Sequence, residues 1–209
     1  WLGNSVIVSL LTTVFSMVIA TLGGYGISRF RFRGRGFLSY FILTTQVLPG
    51  SLLIIPLYVI MGNLQLLDTK IGLVAAYCTF SIPFCTWMMK GFFDTIPISL
   101  EEAAMIDGCT PIQTFFQVVF PIMKPTVITV AILQAMWIWN DYLLPYLVLD
   151  LKKYKTIPIV IQYLKGGYGA VDWGTMMAML VLAIIPIIIF YGICQKYIIE
   201  GVVAGAVKG

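Results

Sequence analysis

The chain has 209 residues, 60% of them hydrophobic and 11% charged, with a mean hydropathy of +0.96. No single soluble core hides that much apolar surface, so the composition excludes an ordinary soluble domain and puts the chain in a bilayer. The net charge is +4 and histidine is absent, which excludes a His-based catalytic triad, a His metal site and a simple neutral-pH switch made from this chain alone.

Five stretches are long and apolar enough for a hydrocarbon core that takes about 20 residues to cross: roughly 4–27, 38–61, 71–90, 126–149 and 176–196. They predict one all-α domain over 1–209, a polytopic membrane helical bundle without soluble linker, low-complexity tract or internal repeat. The first stretch is too long, and too poor in leading basic residues, for a cleavable signal peptide. Near its end Gly23, Gly24 and Gly26 permit close helix packing.

SRFRFRGRG follows, with Arg29, Arg31, Arg33 and Arg35, and reads as a topology anchor beside anionic lipid. Short and at a membrane edge, it argues against a nucleic-acid partner. With this segment cytoplasmic, the inside set is those four Arg with Lys90, Lys124, Lys196 and Lys208, and the outside set is Lys70, Lys152, Lys153, Lys155 and Lys165. The inside excess predicts a chain that starts outside and ends in the cytoplasm. Starting outside at Trp1, without Met, it is expected to be preceded by a further span.

The second stretch contains Gln46, Pro49, Gly50 and Pro56, so its hydrogen-bond ladder is expected to break twice. Freed backbone groups at membrane depth are covered by protein or face water. Gln46 is thus a candidate for a pathway wall, with a static kink as the alternative. The third stretch, with Pro83, returns the chain inside. Cys78 and Cys85 lie about 10 Å apart along a helix axis, beyond disulfide reach, and Cys109 and Cys194 fall on the reducing cytoplasmic side.

Between the third and fourth spans, about 91–125, lies a capped, Gly-broken amphipathic segment. Ser99 with Glu102, and Thr110 with Gln113, stand at capping-box spacing, and Pro111 takes the favoured first helical position. Two short helices are expected. Gly108 would supply the left-handed cap between them, and Pro121 would stop the second. Ile112, Phe115, Phe116, Val119 and Phe120 fall at i, i+3, i+4, i+7 and i+8, one apolar face in want of a partner. A helix pair lying in the lipid interface is the alternative. Glu101, Glu102 and Asp107, with no Lys or Arg between Lys90 and Lys124, favour protein docking.

The run Glu102, Ala103, Ala104, Asp107, Gly108 and Pro121 resembles the EAA signature of permease subunits from binding-protein-dependent ABC importers. YGISRFRFRGRG, QVLPGSLLIIPLY, LQLLDTKIGL, PISLEEAAMIDG, WNDYLLP, TIPIVIQ and IIEGVVAGAVKG are similar to motifs of the carbohydrate branch, in particular the maltose-type second permease. Val118 and Phe120, where Ile and Leu are commoner, and Cys109, often Ala, depart from the pattern but stay apolar.

The resemblance implies a type I ABC importer permease fold, commonly with six spans, in a bacterial inner membrane, multi-pass, with a cytoplasmic C-terminus. It implies a non-catalytic subunit that binds no cofactor, ATP and Mg being used by a partner ATPase. No GxxxxGK[ST] phosphate loop occurs here. The implied partners are a second permease, two ATPase subunits or domains, an extracytoplasmic solute-binding protein, membrane lipid and an oligosaccharide or related carbohydrate. A polyol, a glycerol phosphate or another polar solute is the alternative cargo. The implied ATPase-coupling residues are Glu101, Glu102, Ala103, Ala104, Asp107, Gly108, Phe115, Phe116 and Pro121.

In the fourth span Gln134, Trp137, Asn140 and Asp141 accompany Trp139 and Tyr142, and polar groups at this depth are costly unless paired or wetted. Gln134, Trp137 and Asp141 are predicted to share a face. Amides and carboxylates beside rings suit a sugar, which makes Gln134, Trp137, Asn140 and Asp141 substrate-pathway candidates. An interfacial aromatic belt, with Asn140 and Asp141 bracing helices, is the alternative. The outer segment 150–174 could meet the binding protein or form a plain re-entrant loop. The tail 200–209 reads as a frayed end near the ATPase side.

Overall fold

The structure, a computed structural model, describes residues 1–150, 154–164 and 172–206, the side chains of 194 and 196–206 excepted. The described residues form helices and connecting turns with no strand. In chain order they are α1 (Leu2–Arg29), α2 (Arg35–Val47), α3 (Gly50–Asn63), α4 (Lys70–Phe93), α5 (Ile98–Ile106) and α6 (Pro111–Thr114). A π-helical turn (Phe115–Val119) follows, then α7 (Phe120–Asn140), α8 (Leu143–Val148), α9 (Ile157–Tyr163) and α10 (Trp173–Ala206). Lys152, Lys153, Lys165, Lys208 and, of the outer segment, residues 151–153 and 165–171 lie outside the described residues.

Among the described residues, Leu2–Arg29, Lys70–Phe93, Pro111–Asn140 and Trp173–Ile193 are long and apolar enough to cross a membrane. The sharply bent pair α2 and α3 makes a fifth if it is one span. The two breaks expected in that span reduce to one. Leu48 and Pro49 interrupt the helix, whereas Pro56 sits inside α3 without ending it.

α1 shows why these helices suit lipid. Its buried residues include Ser5, Ser9, Thr12, Ser16 and Ala20, while Leu10, Val14, Val18 and Leu22 are exposed. Small side chains inside and bulky apolar ones outside reverse the pattern of a soluble helix.

The chain divides into two compact units. One comprises 1–16, 47–81 and 133–193. Its core gathers Val8 of α1, Met61 of α3, Leu73 and Tyr77 of α4, Ile138 of α7, and Leu144 and Val148 of α8. The turn between α3 and α4 is pinned to this core, the Asp68 amide donating to the Val148 carbonyl at 2.9 Å.

The other unit comprises 17–46, 82–132 and the chain from 194. Met17 and Ala20 of α1, Cys85, Met89 and Phe93 of α4, Ile96, Phe115, Val119 and Met123 build its core. Helix approach is tight at Gly24, where a Cβ would stand 2.9 Å from both the Lys90 amide nitrogen and the Met89 Cβ. Of the three glycines near the end of α1, this one is required by packing.

Two expectations about the fourth span are corrected. Pro121 does not stop a helix, because Pro111–Asn140 runs through it. The π turn explains this: the Phe120 amide bonds back to the Phe115 carbonyl, five residues earlier, and the widened turn accommodates a ring that has no N–H to donate. At the far end the helix finishes at Asn140, so the 126–149 stretch is a long helix, a break and the short α8.

Candidate functional site

The segment between α4 and α7 packs as a helical pair on the inner core of the second unit. α5 begins at Ile98 after Pro97, whose φ of −59° and ψ of 130° set the entry without any side-chain cap. Ser99 therefore lies inside the helix, and the expected Ser99–Glu102 capping box does not form. Glu102 is exposed.

α5 ends as the glycine predicts. Gly108 has φ +91°, its amide donates to the Met105 carbonyl at 3.1 Å, and the Cys109 amide donates to the Ala104 carbonyl at 3.0 Å. These two bonds are a Schellman cap. The second box forms as expected: the Gln113 amide donates to Thr110 Oγ1 at 3.3 Å and the Thr110 amide to Gln113 Oε1 at 2.8 Å.

Glu101 is where the pair is fastened. Its side chain is buried and ion-paired with Arg29, whose Nε donates to Oε1. The Tyr25 hydroxyl donates to Oε2 at 2.8 Å. Arg29 Nη2 also donates to the Ile96 carbonyl at 2.9 Å. One guanidinium thus joins the end of α1, the turn after α4 and α5. The same arginine was expected to anchor lipid, but of the cluster Arg29 is turned into the protein while Arg31 and Arg33 are exposed.

A second tie lies next to it. Ser28 Oγ donates to Asp94 Oδ1 at 2.5 Å and Lys90 Nζ to Oδ2 at 2.6 Å. Arg35 Nη2 donates to the Ser28 carbonyl at 2.9 Å. Partial burial pushes the Asp94 carboxyl up, but the bonds from Lys90 and Ser28 and the Lys90 and Arg35 charges outweigh it and hold it below its ordinary value.

The predicted single apolar face is divided. Phe115 and Val119 are buried, Phe115 with its ring 4.7 Å from that of Tyr25 and 6.5 Å from that of Phe93. Ile112 and Phe116 point outward at 71% and 58% exposure, as does Ile106 at the end of α5 at 86%. The π turn displaces the side chains from the regular 3.6-residue spacing that the prediction assumed. Ala104 is buried, whereas Ala103, Asp107, Gly108 and Pro121 are exposed. The outer surface is therefore an apolar ridge flanked by Glu102 and Asp107.

The substrate-pathway candidates are placed as follows. Gln134 is buried and its amide donates to the Ser81 hydroxyl at 2.5 Å. Trp137 is half exposed and meets Tyr77 edge to face at 5.9 Å. Asp141 accepts from the Tyr77 hydroxyl at 2.9 Å and from the amides of Leu143 and Leu144 at 3.2 and 3.3 Å. Asn140 is exposed, its amide turned back onto the Met136 carbonyl at 2.7 Å.

Gln134, Trp137 and Asp141 were expected on one helical face. The helix ends before Asp141, which instead braces α4 and caps the start of α8. Gln46 belongs to the other unit, exposed, with its amide on Thr45 Oγ1 at 3.1 Å. Tyr77 and Ser81 were missed from the sequence. Their spacing to one another at i and i+4 along an apolar span was the one available signal.

Residues 12–203 match the model of the binding-protein-dependent transport system inner membrane component family. A probable starch degradation products transport system permease protein of Thermoanaerobacterium thermosulfurigenes is 38% identical over 205 residues, covering 96% of this chain and 74% of that one. The trehalose/maltose transport system permease protein of Thermococcus litoralis is 32% identical over 209 residues, covering 100% and 75%. Among solved structures, a bacterial ABC transporter involved in the import of the acidic polysaccharide alginate aligns with a TM-score of 0.81 at 26% identity, over 93% of this chain and 73% of that one. The inward-facing MetNI methionine transporter, at 18% identity, TM-score 0.71 and coverage of 95% and 93%, shares the fold alone. This chain, whose described residues form helices and turns with several apolar helices of membrane length, and which is matched in sequence and fold over nearly its whole length, belongs to the inner membrane permeases of binding-protein-dependent ABC importers.

Proposed function

We propose that this chain forms one half of the translocation pathway of an ATP-driven carbohydrate importer and takes up the ATPase movement through the α5–α6 pair. The observation that carries this reading is an exposed apolar ridge, Ile106, Ile112 and Phe116, on a helical pair fastened from beneath by the buried Arg29–Glu101 ion pair. Such a ridge needs a cover, and a rigidly held one can transmit force.

Glu102, Ala103, Asp107, Gly108, Phe116 and Pro121 lie on the outer surface, where an ATPase would meet them, and Glu101, Ala104 and Phe115 hold the pair against the core. ATP and Mg belong to that partner, and this subunit performs no chemistry. Closure of the nucleotide-binding subunits would switch the pathway between outward and inward access, because both sites bias one packed element. The pathway is shared with a second permease, an extracytoplasmic binding protein delivers the cargo, and α5, α6 and the C-terminus face the cytoplasm. Relatives named for starch degradation products and for trehalose and maltose support a carbohydrate cargo. Uptake of labelled sugars against labelled polyols and glycerol phosphates distinguishes the two cargo readings.

The test is copurification. With Ile106→Glu and Phe116→Glu together, the permease pair is expected to purify intact and the ATPase to be lost. Normal recovery of an ATPase with both charges in place would overturn the reading.

A further inference from the structure

The proposed function requires that the helical pair move something, and the side-chain bonds beneath it identify what that is. α6 continues without a loop through the π turn into α7, so one route from the ridge into a span is backbone. α5 has no such continuity, because the turn 94–97 separates it from α4. Besides resting on the π turn, it is fastened by side chains, and they come from α1.

We infer that Arg29 and Glu101 are positioning residues that clamp α5 to the inner end of α1, so that α5 and α1 move as one body when the ATPase pulls on the exposed ridge. Three observations carry this. The Glu101 carboxylate is satisfied from α1 on both oxygens, by Arg29 Nε and by the Tyr25 hydroxyl at 2.8 Å. Arg29 spends a second arm on the Ile96 carbonyl at 2.9 Å, which fixes the turn entering α5. The ring of Tyr25, which carries that hydroxyl, packs in turn on Phe93 and Phe115, with Tyr25 and Phe93 centroids 5.5 Å apart. Both charged side chains are nearly sealed, at 8% and 5% exposure.

Chemistry explains why a clamp of this kind resists sliding. Separating a buried Arg from its carboxylate leaves two uncompensated charges away from water, a far larger penalty than moving one apolar surface over another. The fork of the guanidinium also fixes direction, which a lysine ammonium would not. The residues outside the clamp differ: Glu102, one position on, is exposed and makes the outer surface. Adjacent glutamates thus divide the work, one facing α1 and the other the partner.

This inference rests on the proposed function, and the experiment separates the two. The complete complex, with its ATPase, is prepared with the native cysteines replaced and spin labels at Leu22 on the outer face of α1 and Ile98 at the start of α5, both exposed and both apart from the ridge. The distance between labels is measured by pulsed electron resonance without nucleotide and with ATP–Mg trapped by vanadate. The expected result is one narrow distance, the same in both states. A change near one helical turn, ~5 Å, would show the helices sliding and overturn the inference. In Glu101→Gln the ATPase is expected to remain bound and to hydrolyse ATP, while the distance broadens or becomes nucleotide-dependent; an unchanged narrow distance would overturn the role of the pair. Should that variant fail to fold, the unsubstituted complex still decides by its two states. Absence of any ATPase from the unsubstituted complex would instead refute the functional reading.

Discussion

At the residue scale, the most exacting position is Gly108. Its φ of +91° belongs to the left-handed region, yet a Cβ there would meet nothing within 4 Å. Substitution therefore reports backbone strain alone. Gly108→Val is expected to cost about 1–2 kcal/mol, read as a lowered thermal midpoint of the detergent-solubilised complex, with weaker ATPase recovery because the angle between α5 and α6 is lost. Asp94 yields a pH dependence. Its carboxyl is held below its ordinary value, so its contribution is fully present above the unfolded carboxylate value of about 4 and lost as pH falls through the lower folded value. The stability difference between the parent and Asp94→Asn should close on acidification below about pH 4; a difference that stays constant in thermal melts across that range would contradict the assignment.

At the element scale, the π turn decides how the ridge is presented. A regular helix would put Ile112, Phe115, Phe116, Val119 and Phe120 on one face, as their spacing predicts. With the turn widened, Phe115 and Val119 enter the core and Ile112 and Phe116 remain outside. Pro121 makes the widening favourable, since a donor at that position is missing in any case. Pro121→Ala would allow the ladder to tighten, and removing one residue's worth of winding turns the outer side chains by about 100° relative to α7. The variant is expected to fold at least as stably yet to bind the ATPase more weakly. Equal ATPase recovery and equal coupling would show that the turn is not needed to aim the ridge. The capping boxes divide on similar grounds: Thr110 succeeds because Pro111 fixes the first turn, whereas at Ser99 the preceding Pro97 starts the helix early.

At the scale of the whole molecule, the excess of Lys and Arg on one side predicts the orientation of the chain, and native Cys109 beside the cap offers a direct test. Its thiol is half-buried. A membrane-impermeant maleimide should label it in inverted vesicles and not in right-side-out ones; the opposite pattern would place the helical pair on the wrong face for an ATPase. All-helical class, membrane-length apolar segments, the Gly108 cap, the Thr110–Gln113 box and the family were legible in the chain itself, because hydropathy, capping geometry and glycine conformational freedom act within about 20 residues. The partners of Glu101 and Gln134 were not. Arg29 and Ser81 lie 72 and 53 residues away along the chain, and no local rule pairs them. Nor could composition tell which of two neighbouring glutamates is buried, or that Asp141 would brace Tyr77 and cap α8 instead of extending a helical face. Those outcomes depend on which side chains a packed core closes upon, since a buried charge persists only where folding brings its partner.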